Sequence, residues 1–141
     1  MLLKNASLNQ IMIKRTVSVT PNTSLLEARE ILLRHKLKRL VVLDSKKKPV
    51  GIITEKDIAK TVYTLGDKPI KSIKVGEFMS RKLVTVKKTA SIYDCAKLMR
   101  NKKISSIIVL NENKTLYDDV TVLVIKRRAS NDNWEDPLCK T

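Results

Sequence analysis

The sequence predicts an α+β protein built from two copies of one β-α-β-β-α unit. Three observations carry that prediction: a self-similar stretch at one fixed offset, hydroxyl-to-acid capping signals at matching places in both copies, and short branched apolar runs after each capped segment. The chain has 141 residues, enough for one domain or two very small ones sharing a core. Neither copy alone supports a good core, so the two are expected to pack sheet against sheet.

The repeat aligns Val17-Ser18-Val19-Thr20-Pro21-Asn22-Thr23-Ser24-Leu25 with Val84-Thr85-Val86-Lys87-Lys88-Thr89-Ala90-Ser91-Ile92, an ungapped offset of 67 residues. It also sets Met12 on Met79, Glu27 on Asp94, Leu37 on Ile104, Val42 on Val109, Thr54 on Thr121 and Ile58 on Ile125. Val17 to Thr20 and Leu83 to Val86 read as short extended segments. Ser24-Leu25-Leu26-Glu27 and Ser91-Ile92-Tyr93-Asp94 then place a hydroxyl at an N-cap and an acid three residues later, opening an amphipathic helix in each copy. Leu25, Ala28 and Leu32 mark the inner face of one helix, and Ile92, Cys95, Ala96 and Met99 that of the other. The runs Leu40 to Leu43 and Ile107 to Leu110 suit buried strands, being short and β-branched. In the first copy, Asp44 to Lys48 turns into a second strand, Val50 to Ile53. Thr54-Glu55-Lys56-Asp57 is another capping box and starts a helix through about Leu65. Gly66-Asp67-Lys68-Pro69 reads as a turn-bearing linker.

Composition excludes several classes of function. Hydrophobic residues are 43% of the chain, and there are only 3 Gly and 4 Pro, which argues against disorder and collagen. No apolar run approaches the roughly 18 residues that span a bilayer. The start, Met1-Leu2-Leu3-Lys4-Asn5, lacks the features of a signal peptide, so a soluble cytoplasmic protein is the expectation. Cys95 and Cys139 make no disulfide framework, and the single histidine, His35, leaves no zinc constellation. With no activated nucleophile, metal set or Gly-rich phosphate loop, the expectation is that the chain is not an enzyme and carries no cofactor. His35 falls at a helix end, where it complements the dipole. Cys95 and the methionines Met12, Met79 and Met99 read as core filling.

The charge is the odd feature. There are 29 Lys and Arg against 14 Asp and Glu, a formal +15, and residues 129–141 contribute −2 of it. The cations come in clusters, among them Lys36-Leu37-Lys38-Arg39, Lys46-Lys47-Lys48 and Lys126-Arg127-Arg128. Such a surplus attracts polyanions. A solvated lysine-rich surface explains most of it, and aromatic residues at 4% supply little stacking platform, so nucleic-acid binding ranks behind a small phosphorylated ligand.

These residues together form a recognisable pattern. Val17-Ser18-Val19-Thr20-Pro21 leading into Ser24-Leu25-Leu26-Glu27-Ala28, then Lys38-Arg39-Leu40-Val41-Val42-Leu43-Asp44, then Gly51-Ile52-Ile53-Thr54-Glu55-Lys56-Asp57, resembles a CBS domain. The second copy resembles one from Val75-Gly76-Glu77-Phe78-Met79 through Asn111, so the chain resembles a tandem CBS pair, or Bateman module, over residues 8–117. The resemblance implies a pseudo-two-fold pair with repeats at 8–66 and 71–128, and the weak periodicity and acidic charge of 129–141 predict a flexible tail. The resemblance also implies a non-catalytic regulatory module that binds AMP, ADP, ATP or S-adenosylmethionine in a cleft between repeats, forms a homodimer and acts on an effector protein.

Carried over residue by residue, the resemblance gives Asp57 the ribose hydroxyls, which suit a carboxylate with two acceptors. Thr54 stands by the phosphate, faced by Arg39 with Lys38 beside it. Ile52, Thr85, Ile104 and Ser105 line the adenine pocket, with Ser80 and Leu83 at its rim. Taken alone, Thr54 and Asp57 are a capping box that needs no ligand. The second copy breaks the pattern: Gly51 projects onto Asp118, Asp57 onto Val124 and Arg39 onto Ser106. A buried strand is expected at Val120 to Ile125, and the second cleft is expected to lack its ribose carboxylate and phosphate arginine. A structural interaction module with both clefts vestigial is the remaining alternative.

Overall fold

The computed structural model describes residues 17–104 and 106–121, and these fall into two compact units, one of residues 17–83 and one starting at Val84. In the first, strand β1 (Ser18–Val19) precedes helix α1 (Leu25–His35), strands β2 (Arg39–Leu43) and β3 (Pro49–Thr54) and helix α2 (Glu55–Leu65). A 3-10 turn (Ile70–Ser72) and a one-turn helix α3 (Val75–Phe78) follow. The sheet order is β1-β2-β3, with β1 parallel and β3 antiparallel to the central β2. Centrality fits β2: Leu40, Val41 and Val42 are all buried, as a strand covered on both faces requires.

Helix α1 begins where the capping signal placed it. The Glu27 N–H donates to Ser24 Oγ at 3.1 Å, which satisfies one of the orphan donors of the first turn. Leu25, Ala28 and Leu32 are buried and pack with Val19, Leu40, Val42, Ile53 and Ile58. The helix ends at Lys36, which takes the left-handed conformation (φ 54°) so that the Leu37 N–H can reach the Leu32 carbonyl at 2.9 Å. Leu37 then packs against the core.

The second unit has strand β4 (Thr85–Lys87), helix α4 (Ile92–Lys102) and strands β5 (Ser106–Leu110) and β6 (Leu116–Thr121), in the order β4-β5-β6. It repeats the first in detail. Asp94 N–H donates to Ser91 Oγ at 3.0 Å, Lys103 ends the helix at φ 54°, and Ile104 N–H reaches the Met99 carbonyl at 3.0 Å. Ile92, Cys95, Ala96 and Met99 are buried, as are Ile107, Ile108, Val109 and Leu116. Both antiparallel ladders carry their irregularity at the same step, between Val42 and Leu43 and between Val109 and Leu110.

Two expectations about boundaries change. The strand expected at Val120 to Ile125 begins earlier, at Leu116, and residues 122–125 lie outside the described ones. Its start is set by the Asn111–Thr115 turn, in which Asn111 N–H donates to the Thr115 carbonyl and Lys114 N–H to the Asn111 carbonyl, both at 2.9 Å. The extended segment expected at Leu83 to Val86 makes its ladder at Thr85–Lys87. The tail at 129–141, Met12 and Val124 lie outside the described residues.

The compact units are also offset from the sequence repeats. Ile73, Val75 and Met79 align with the second copy yet are buried in the core of the first unit, with Ile70 packed against it. Backbone bonds pin them there: Leu25 N–H to the Ile73 carbonyl and Val75 N–H to the Thr23 carbonyl, each 2.8 Å, and Gly76 N–H to the Pro21 carbonyl, 2.9 Å. Gly76 has no room for a side chain without displacing Pro21, whose Cβ would lie 3.0 Å from an added one.

Candidate functional site

Most of the expected site residues converge on one corner of the first unit, where β2 begins, β3 ends and α2 starts. Antiparallel pairing sets Arg39 directly opposite Thr54, the last residue of β3 and the N-cap of α2. Lys38 precedes Arg39, and its carbonyl accepts the Glu55 N–H at 2.9 Å. That bond joins the entry to β2 to the first residue of the helix.

At the helix start the capping box is complete. Asp57 N–H donates to Thr54 Oγ1 and Thr54 N–H donates to Asp57 Oδ2, both at 3.0 Å. One turn later Thr61, the buried polar residue of this unit, donates its hydroxyl to the Asp57 carbonyl at 2.7 Å. The Asp57 side chain is thereby oriented from one oxygen, while Oδ1 takes no hydrogen bond from the described residues. A carboxylate held this way still offers acceptor positions to a vicinal diol. The guanidinium of Arg39 likewise has no ion-pair or hydrogen-bond partner among the described residues. Arg39, Thr54, Asp57 and Ile52 are half-buried and Lys38 is exposed. Glu55 and Lys56, both exposed, add one charge of each sign to the first turn.

Ile52 and Ser80 meet beside this corner. The Ile52 N–H donates to the Ser80 carbonyl at 2.9 Å, and the Ser80 N–H to the Ile52 carbonyl at 2.8 Å. Sequence matching gave Gly51 only as a member of a pattern; its physical role is this approach. A Cβ on Gly51 would stand 2.5 Å from Met79 Sδ and 2.9 Å from the Ser80 carbonyl oxygen. Leu83 is half-buried, and no hydrogen bond ties it to the corner among the described residues.

The remaining expected residues belong to the second unit. Thr85 is exposed and pairs with Ile108 at the start of β4. Ile104 is half-buried after α4, and Ser105 lies outside the described residues. In that unit Ser106 opposes Thr121 just as Arg39 opposes Thr54, and Asp118 opposes Val109 as Gly51 opposes Val42. The ladder of the corner is therefore duplicated, with Thr121 matching Thr54 but Ser106 and Asp118 standing where Arg39 and Gly51 do.

Among the described residues, no helix is long and apolar enough to cross a membrane, and no group of His, Cys, Asp or Glu can hold a metal ion. Burial pushes the Cys95 thiol up to about 12, so this side chain supplies no thiolate nucleophile near neutral pH.

Comparison with known proteins agrees with this architecture. The CBS domain family model matches residues 8–64 and 75–122. An uncharacterized protein of Methanocaldococcus jannaschii is 32% identical over 139 residues, covering 88% of this chain but 32% of its own length, so the chain spans about a third of that relative. The CBS domain pair of protein MJ0100, solved with 5′-methylthioadenosine and S-adenosyl-L-methionine, is 28% identical with a TM-score of 0.74, over 89% of this chain and 97% of that one. An uncharacterized conserved protein from Pyrococcus horikoshii is 26% identical with a TM-score of 0.75, over 94% of this chain and 97% of that one. With its repeat, its paired ladders and two separate family matches, the chain belongs to the CBS-domain family as a tandem pair.

Proposed function

We propose that this chain is a regulatory module that binds an adenosine-containing ligand, AMP, ADP, ATP or S-adenosylmethionine, at the β2–β3–α2 corner and passes its occupancy to a partner protein, acting as a homodimer. The observation that carries the reading is the convergence of Arg39, Thr54 and Asp57, with Arg39, unpaired among the described residues, opposite a capped helix start in the ladder. Asp57 is the ribose acceptor, and Arg39, Lys38 and Thr54 face the phosphates or their counterpart. The likeness to the MJ0100 domain pair, solved with two adenosine derivatives, supports the ligand class. In the second repeat Ser106 and Asp118 take the ladder places of Arg39 and Gly51, so one ligand binds per chain.

Isothermal titration of the full chain with AMP, ATP and S-adenosylmethionine tests the reading. Binding of at least one, at one site per chain and weakened in Asp57→Asn, is the expected result. Absence of binding by all three, or two equivalent sites, overturns it.

A further inference from the structure

The segment from Ile73 to Ser80 belongs by sequence to the second copy but is seated on the first unit at two places. One end is held on the β1–α1 loop through Thr23 and Pro21, and the other on β3 through the reciprocal Ile52–Ser80 pair. Between them Met79 is buried, its side chain lying over the one residue of β3 that has none. β3 is an edge strand, and among the described residues the outward N–H and C=O of Ile52 pair with Ser80 alone. The two ends differ in security. The loop end is flanked by buried Ile73 and Val75, whereas Ser80 is exposed and held by two backbone bonds. A segment anchored deeply at one end and lightly at the other opens locally from the light end.

We infer that residues 79–80 form a latch on β3, kept shut by the Gly51–Met79 fit, and that a ligand at the neighbouring corner binds only the latched state. This inference rests on the proposed adenosine site. Ile52 precedes Thr54 by two residues on the same strand, so freeing the latch uncovers the outer edge of that strand beside the corner. The chain runs on from Ser80 into β4 at Thr85, so latch position is conveyed covalently to the second copy. Gly51 and Met79 are positioning residues here and touch no ligand.

Amide hydrogen exchange on the full chain tests this, with AMP and 5′-methylthioadenosine as probes and calorimetry establishing that each is bound. With a probe at about 100 times its Kd, opening that forbids binding is suppressed about 100-fold, and the Ser80 and Ile52 amides slow by that factor. The Lys48 amide in the β2–β3 turn serves as the control and does not change. Gly51→Ala unseats the latch, so Ser80 exchanges faster without probe and affinity falls about tenfold. Should that variant not fold, the wild-type measurement decides by itself. Bound probe with unchanged Ser80 and Ile52 exchange overturns the latch and leaves the adenosine reading standing. Failure of both probes to bind, together with ATP and S-adenosylmethionine, overturns the reading and the latch with it.

Discussion

Arg39 and Thr54 face each other as the last ladder pair of β2 and β3, so a cation and a helix N-cap share one end of the sheet. Thr54 and Asp57 close the helix start, and in the proposed function they also present polar groups to a ligand. These duties can be separated. Thr54→Val removes the acceptor of the Asp57 N–H and should cost about 0.5–2 kcal/mol of stability, read from urea unfolding. Asp57→Asn keeps an oxygen for the Thr54 N–H and should leave stability nearly unchanged. It replaces a charged acceptor with a neutral one, which weakens adenosine-ligand binding by about 1–2 kcal/mol, or roughly tenfold. A large stability loss in Asp57→Asn with unaltered ligand affinity would leave the carboxylate as a cap alone.

Among the described residues, four lysines take left-handed backbone conformations, in two pairs related by the repeat: Lys36 with Lys103 (φ 54° each) and Lys47 with Lys114 (φ 62° and 67°). The first pair ends helices, where glycine is the favoured residue because it has no Cβ to crowd the carbonyl. The left-handed strain of roughly 1–2 kcal/mol outweighs the extra unfolded-state entropy of glycine, roughly 0.5–1 kcal/mol. Lys36→Gly and Lys103→Gly should each stabilise the protein by about 0.5–1 kcal/mol, seen as a higher midpoint in thermal melts. Neither substitution raising the midpoint would mean that each lysine side chain makes up the difference.

The first copy was largely legible from sequence because its local signals and its packing agree. Ser24, Ser91 and Thr54 all cap helices, and the inner faces named by spacing are the buried ones. Legibility failed where a residue's place depends on a distant partner. Asp118 and Asp119 hid the start of β6, because the apolar run begins only at Val120 while the strand is set by the turn before it. Nor does periodicity say which sheet Ile73, Val75 and Met79 will cover. Gly51 was noticed as a pattern element, but the reason for it, the backbone of Ser80 within 2.9 Å of where a Cβ would stand, exists only in three dimensions. The left-handed lysines gave no signal at all, since sequence reading expects glycine or asparagine there.

The two β-hairpin turns differ at their first residue, which carries a titratable carboxyl only in the first copy. Asp44 Oδ1 accepts the N–H groups of Lys46 at 2.8 Å and Lys48 at 3.0 Å, and Asn111 occupies the matching place in the second copy. The Lys48 N–H above all, with the Lys46 N–H and both lysine charges, holds the Asp44 carboxyl below its usual value of 3.8. A lowered folded-state pKa means the turn's stabilisation is present above 3.8 and is lost as pH falls through the folded value. Below that range the Lys46 and Lys48 amides should exchange faster in nuclear magnetic resonance experiments, while Lys114 and Thr115 do not change. Asp44→Asn should remove this acid sensitivity of the first turn. Equal acid sensitivity in both would place the effect outside Asp44.

Cys95 lies on the inner face of α4 with no exposed surface, and burial first, then the charge of Asp94, raises its thiol from 9.0 to about 12. For an acid whose folded pKa is raised, the unfolded chain loses its proton first. The contribution of the neutral thiol is therefore whole below pH 9 and declines as pH rises from there toward 12. Within that window one proton separates the two states, so the slope approaches about 1.4 kcal/mol per pH unit. Lysine titration also alters stability at high pH, and comparison with Cys95→Ala cancels it. The stability advantage of the wild type over Cys95→Ala, measured by urea unfolding from pH 8 to 10, should be constant up to about 9 and then shrink. An advantage that stays constant across the range would mean that the thiol ionises alike in both states and that burial does not hold its proton.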